Sequence, residues 1–212
     1  MVSMSTTAAE ARRRVTKRPE ERREDILDAA LRVFVAKGIP NVTVADITEA
    51  AGVAKGTFYL YYDSKEALLG ALKRRFVDEL ISHASQFFAR VGKDDWWALA
   101  DATVESMIDF MLEHADQTQV FAQEGYTPET YAPFAECEAR LQAMFATGIK
   151  MGVEAGVFEC ADPETTAALI DHAVQGTVEH AMLYGGTESI DRDRLVAGAS
   201  SLIRKVLGPD RS

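Results

Sequence analysis

The sequence predicts an all-α protein, an N-terminal three-helix helix-turn-helix head followed by a C-terminal helical bundle. Apolar residues recur at i, i+3, i+4 and i+7 from residue 20 to residue 207, the period of an amphipathic helix. β-branched residues nowhere gather into alternating runs bounded by turns, the pattern of a half-buried strand. Gly and Pro fall between the stripes, at Pro19, Gly38, Gly52, Pro128 and Pro163, where helices start and stop. With 212 residues, 47% of them hydrophobic, the chain can bury a substantial core.

The first helix opens at Pro19 and stops at Gly38, with Ile26, Ala30, Val33 and Phe34 toward the core, because proline suits a first turn and glycine a helix end. Thr43 and Asp46 have capping-box spacing, so a short second helix starts at Thr43, turns Val44 and Ile47 inward and ends at Gly52. A third, about Lys55 to Tyr61, follows within a few residues. Asp63 and Glu66 repeat the capping-box spacing and open a fourth helix through Leu68, Leu69, Leu72, Phe76 and Leu80. Beyond residue 92 the helices lengthen. Trp96 to His114 carries Val104, Met107, Ile108, Met111 and Leu112 on one stripe, with Glu105 and Asp109 off it. A shorter piece lies near Thr118 to Glu124, then helices of about Pro128 to Ala155, Pro163 to Tyr184 and Asp191 to Leu207. The expected division is a basic flexible arm over 1–19, a three-helix head over 20–62 and a helical body over 63–212.

The formal net charge is −10, unevenly spread. Residues 1–62 hold 10 Lys and Arg against 8 Asp and Glu, giving +2, and the remainder carries −12. Only the N-terminal part could comfortably meet a polyanion. Arg12, Arg13, Arg14, Lys17 and Arg18 lie in an opening segment without apolar periodicity, read as a solvated tail or an arm that touches DNA. No signal-like apolar segment and no run of about 18 apolar residues is present, so a cytoplasmic protein without a membrane span is expected. Cys137 and Cys160 stand apart, as small buried hydrophobes rather than staples or ligands.

Catalytic chemistry finds little support. There is no phosphate loop, dinucleotide fingerprint or Gly-x-Ser-x-Gly, and Gly148, Gly152 and Gly156, four apart on a helix, suit close packing or a cap. His172 and His180 are two turns apart, too far to share one ion without a third element. No enzyme, cofactor or metal site is expected.

The stretch TVADITEAAGVAKGTFYLYY has two short helices joined by a Gly-containing turn, the pattern of a helix-turn-helix. Small residues at Ala50, Ala51, Ala54 and Gly56 permit close approach of helix to helix and of helix to a groove floor. Residues 22–70 resemble the N-terminal domain of the TetR family of bacterial transcriptional repressors. Thr43, Ile47, Ala51, Gly52, Val53, Lys55, Gly56, Thr57, Tyr59, Tyr61, Ser64, Lys65, Glu66 and Leu68 carry the resemblance. The sequence departs from the pattern at Thr48, where alanine is usual, and at Ala54, where a capping serine is usual.

The resemblance implies a homodimer that binds a palindromic operator in double-stranded DNA. Thr43, Val44, Ala54, Lys55, Gly56, Thr57, Tyr59, Tyr61 and Lys65 are then the expected DNA-contacting residues. Lys55 is the long donor able to reach guanine O6 and N7, Gly56 lets the backbone come close, Thr57 and the tyrosines meet phosphates or a thymine methyl, and Lys65 meets a phosphate. Leu169, Ala173, Gly176, His180 and Leu183, with Leu195, Ala199, Leu202 and Val206 on the last helix, are the expected dimer interface. A small-molecule effector site is expected among Met107, Phe110, Met111, Phe121, Tyr126, Met144 and Phe145, beside a polar line of His172, Gln175 and Glu179. Two other readings remain open at this point: a DNA-binding regulator controlled by a protein partner, and a helical enzyme with an incidental helix-turn-helix-like corner.

Overall fold

The computed structural model describes residues 18–88, 95–123 and 128–208, so the arm at residues 1–17, where Arg12, Arg13, Arg14 and Lys17 fall, lies outside the described residues. The described chain is helical throughout: α1 (Pro19–Lys37), α2 (Val44–Ala51), α3 (Lys55–Phe58), α4 (Lys65–Phe88), α5 (Trp96–Glu113), α6 (Ala115–Gln123), α7 (Pro128–Glu154), α8 (Pro163–Gly185) and α9 (Arg192–Leu207). Single 3-10 turns lie at Ile39–Asn41 and Thr187–Ser189.

α1 begins and ends where its proline and glycine predict. α2 is opened by the expected capping box: the Asp46 amide donates to Thr43 Oγ1 at 3.2 Å, and the Thr43 amide donates to Asp46 Oδ2 at 2.8 Å. Lys37 Nζ closes on Asp46 Oδ1 at 2.5 Å, and these bonds hold the Asp46 carboxyl well below the usual carboxylate range. Gly52 ends α2 at φ 63°, a left-handed conformation that side chains with a Cβ resist. α3 is shorter than its pattern suggests and closes at Tyr59. The expected box between Asp63 and Glu66 is not the cap of α4: Ser64 Oγ accepts from the Ala67 amide at 3.0 Å instead, because α4 starts one residue later.

The head closes around Ile26, Ala30, Phe34, Ile47 and Phe58, all wholly buried, and is completed by Leu68, Leu69 and Leu72 of α4. One buried cluster runs without interruption from these residues through Phe76 and Leu80 to Met107, Ile108 and Val178. α4 is therefore the spine, packing on α1 at its start and on α5 and α7 along its length. Arg75 on α4 pairs with Glu24 at 3.0 Å and Asp28 at 2.7 Å on α1. Arg23 donates to the Tyr62 hydroxyl at 3.3 Å, and burial pushes that phenol's pKa up. Across α4 and α7, Gly70 lies so close to Pro133 that an added Cβ would sit 2.8 Å from the ring.

In the body, α9 is tied to α5. Arg192 meets Asp109 at 2.6 Å and Glu105 at 2.7 Å, the two acids that fall off the α5 stripe, and Arg204 pairs with Asp101. Gly152 packs against Phe158, whose ring would lie 2.1 Å from an added Cβ, and Gly156 ends the α7 region at φ 72°. Gly152 and Gly156 thus take the packing and capping roles that the glycine spacing suggests, whereas Gly148 has nothing within 4 Å of an added Cβ and packs against nothing closely. Cys137 is buried and burial raises its thiol pKa, whereas Cys160 is half-buried and donates to Thr166 Oγ1 at 3.2 Å.

Candidate functional site

The head presents a polar tip on a fixed base. Phe58 is wholly buried and meets Tyr59 edge-on at 5.3 Å and Tyr62 at 5.9 Å between ring centroids. A helix of four residues cannot hold its own conformation, so this aromatic anchor fixes the orientation of α3. Around it Ala54, Lys55, Gly56 and Tyr59 are exposed, and Thr57 and Tyr61 are half-buried at the margin. Ala54 caps α3 without a side-chain bond, as its sequence departure suggests. At the start of α2, Thr43 is exposed and Val44 half-buried. All eight thus lie on α2 and α3, on the N-caps that open them and on the turn after α3. Lys65 differs: its Nζ donates to the Ile39 carbonyl at 3.0 Å and is half-buried, so it is built into the head, and an alanine there would loosen the head as well as remove a charge.

The body holds a cavity of about 500 Å³ between α5, α7, α8 and α9. Its α5 wall is the stripe Trp96, Leu99, Ala100, Thr103, Val104 and Met107, and Ile170 and Val174 of α8 and Ile203 of α9 close the back. Small residues leave the space: nothing lies within 4 Å of a Cβ added at Gly148. Thr147, Gly148 and Met151 line it and are exposed, which puts its mouth on α7. Among the described residues no charged side chain lines it. Among the described residues that line it, Thr103 and Thr147 carry the hydroxyls, and each donates to a carbonyl of its own helix.

The expected effector residues divide. Met107, Met144 and Phe145 line this cavity. Met107, Met111, Phe121, Gln175 and Glu179 line a separate chamber of about 20 Å³, together with Lys73 and Glu138. Phe110 lines neither; it stacks on His114 at 4.1 Å and packs on Phe76 at 5.1 Å as core. His172 is exposed and lines neither, and Gln142 Nε2 lies 3.5 Å from its ring nitrogen. Tyr126 lies outside the described residues. The sequence reading missed the Trp96 end of the cavity, and it missed Lys73.

Asp171 was also missed. It is wholly buried on α8, its Oδ2 accepts from Gln142 at 3.3 Å, and its Oδ1 has no partner among the described residues. Burial pushes its carboxyl pKa up. A carboxyl raised in the folded state favours folding below its unfolded pKa of about 3.9, and that contribution is lost as pH rises through the folded value. Asp171→Asn should therefore raise the melting temperature at neutral pH, with a gain that shrinks as the pH falls toward 4. A gain independent of pH would show that the carboxyl is not the strained group.

The outer face of α8 and α9 carries a groove of about 540 Å³ lined by Ala173, Thr177, Leu195, Ala199 and Leu202. Leu169, Leu202 and Val206 are 67%, 40% and 43% exposed. Gly176 and His180 are exposed and Leu183 half-buried, and the His180 ring lies 4.6 Å from that of Tyr184. The expected α9 stripe is uneven: Leu202 and Val206 stand exposed, whereas Ala199 is buried at the floor of the groove, beside the core face of Ile203 and Leu207 with which α9 covers α5. Among the described residues no helix is long and apolar enough to cross a membrane, and no group of three metal-ligating side chains converges.

A helix-turn-helix head on a hollow helical body defines a class of DNA-binding regulator. The family model for bacterial regulatory proteins of the tetR family matches residues 26–72, and that for the tetracyclin repressor-like C-terminal domain matches residues 99–179. The HTH-type transcriptional regulator YvdT of Bacillus subtilis is 36% identical over 95 residues, 44% of this chain and 47% of YvdT, so the chain spans about half the length of that relative. The regulator TtgW of Pseudomonas putida is 34% identical over 119 residues, 55% of this chain and 75% of TtgW. A crystal structure of the transcriptional regulator FadR from Bacillus subtilis in complex with stearoyl-CoA shares the fold at a TM-score of 0.74, with 20% identity, covering 85% of this chain and 96% of FadR. The chain belongs to the TetR family.

Proposed function

We infer that the protein is a homodimeric repressor that sets α3 into the major groove of an inverted-repeat operator and leaves it when a mostly apolar ligand fills the body. The observation that carries this is the exposed tip of Lys55, Gly56 and Tyr59 held on buried Phe58. A lysine on such a tip reads guanine, while the tyrosines and backbone fix the register on phosphates. Two heads must reach successive groove faces of a palindrome, and the exposed apolar face of α8 and α9 supports a two-fold interface between copies. The cavity, apolar and of ordinary ligand size, supports an apolar effector, as does the fold shared with a regulator crystallised with stearoyl-CoA. Coupling is direct, because α4 both completes the head and borders the body's core; a ligand that favours a different tilt of α4 lowers DNA affinity by about 1 to 3 kcal/mol.

Footprinting on DNA flanking the protein's own gene should find an inverted repeat. On that duplex, Lys55→Ala should weaken binding by about 5- to 150-fold, with little change on a scrambled duplex. Equal losses on both would remove Lys55 from base recognition, and no protected site would remove the repressor reading.

A further inference from the structure

Lys73 lies on the apolar stripe of α4, between Leu69 and Phe76, and is 6% exposed. Its Nζ sits 4.9 Å from the ring centroid of Phe121, 5.6 Å from Phe134 and 5.9 Å from Phe76. Among the described residues the ammonium makes no hydrogen bond and no ion pair. The rings offset part of its desolvation, yet an ammonium has three donors to satisfy and each unmet one is costly at this depth. Burial holds its pKa below the ordinary lysine range although Glu179 and Glu138 pull the other way.

The ammonium borders the chamber of about 20 Å³, where other polar groups are already committed. Thr118 Oγ1 donates to the Met111 carbonyl at 3.0 Å, and Gln175 Nε2 donates to Glu179 Oε1 at 2.7 Å. The space admits about one water-sized group. Met107 lines both this chamber and the large cavity, and methionine is the side chain that most readily moves aside.

We propose that the chamber at Lys73 is the polar subsite of the effector cavity and takes one neutral oxygen, of a ketone, ester or hydroxyl, from an otherwise apolar ligand. This rests on the effector reading of the large cavity. The oxygen supplies the acceptor that Lys73 lacks, on the helix that completes the head. A carboxylate is disfavoured, because Glu138 and Glu179 already bring two negative charges to the wall beside a single ammonium. At roughly 30 Å³ per non-hydrogen atom, taking a methylene as the size of a water, the large cavity accepts a chain of about ten carbons with room to spare.

The test is titration of the protein with decane, decanol, methyl nonyl ketone and decanoate, read by the fluorescence of Trp96 in the cavity wall. Wild type should bind the ketone and the alcohol at least about tenfold more tightly than decane, the worth of a hydrogen bond to a charged donor, with decanoate the weakest of the oxygen-bearing three. Lys73→Met, which keeps an apolar side chain of similar length, should erase that preference and leave decane binding unchanged. A preference that persists in Lys73→Met, or decanoate binding best, overturns the subsite while leaving the cavity as an effector site. Failure of all four ligands to bind wild type overturns the effector reading itself. Independently of any variant, the carbonyl stretch of the bound ketone should move to lower frequency in wild type, and an unshifted band overturns the proposal.

Discussion

Phe58→Ala is expected to abolish operator binding and to lower the stability of the whole protein by about 3 to 5 kcal/mol, a fall in melting temperature of about 6 to 20 °C. Phe58 is the wholly buried residue of α3, and its partners Tyr59 and Tyr62 flank it in the chain. Removing the ring leaves a void that a four-residue helix cannot close, so the tip residues lose their common orientation. The measurement is thermal unfolding beside anisotropy on the operator duplex. Retention of wild-type affinity would mean that α3 is held by something other than its aromatic anchor. Lys55→Ala, by contrast, should leave the melting temperature unchanged, which separates loss of recognition from loss of structure.

Leu202→Glu is expected to convert the proposed dimer to a folded monomer. Leu202 is exposed within one subunit and lines the α8–α9 groove, so a glutamate there stays hydrated in the monomer. In a dimer closed through that face, two carboxylates would be desolvated, at about 3 kcal/mol or more, over a hundredfold in dimer affinity. Sedimentation at micromolar concentration should show monomer mass with an unchanged helical spectrum, and operator affinity should fall with it. An intact dimer would place the interface elsewhere.

Much of this was legible because helices announce their ends in local chemistry. Pro19, Gly38, Thr43 and Gly52 act through their own backbone or nearest neighbours, and the elements they bound appear where expected. The cap of α4 was misplaced because Asp63 and Ser64 are both good capping residues, and which one is used depends on how the preceding turn folds. The body cavity was less legible for a different reason. A cavity is missing volume, and sequence records residues rather than gaps. Phe110, singled out for its size, instead fills core beside Phe76. The space lies along Ala100, Thr103 and Gly148, where small side chains face one another across helices distant in sequence. Lys73 did leave a sign, a charged residue on an apolar stripe, but such a lysine usually extends its ammonium to solvent. Only the three rings from α4, α6 and α7 show that this one does not.

The unbroken core from Phe58 through Leu72 to Met107 bears on how the protein can be taken apart. A fragment ending at residue 62, the natural cut between head and body, would leave Ile26, Phe34 and Phe58 without Leu68, Leu69 and Leu72 to cover them. Such a piece would be sticky and poorly folded rather than a miniature DNA reader. To transplant the specificity of this head onto another sensor, the exchange has to be made inside α4, beyond Leu80, and the recipient must supply a helix surface that accepts it. The same continuity makes heat a reporter of both halves at once: calorimetry should record a single endotherm, and a compound seated at Trp96 should delay the melting of α3.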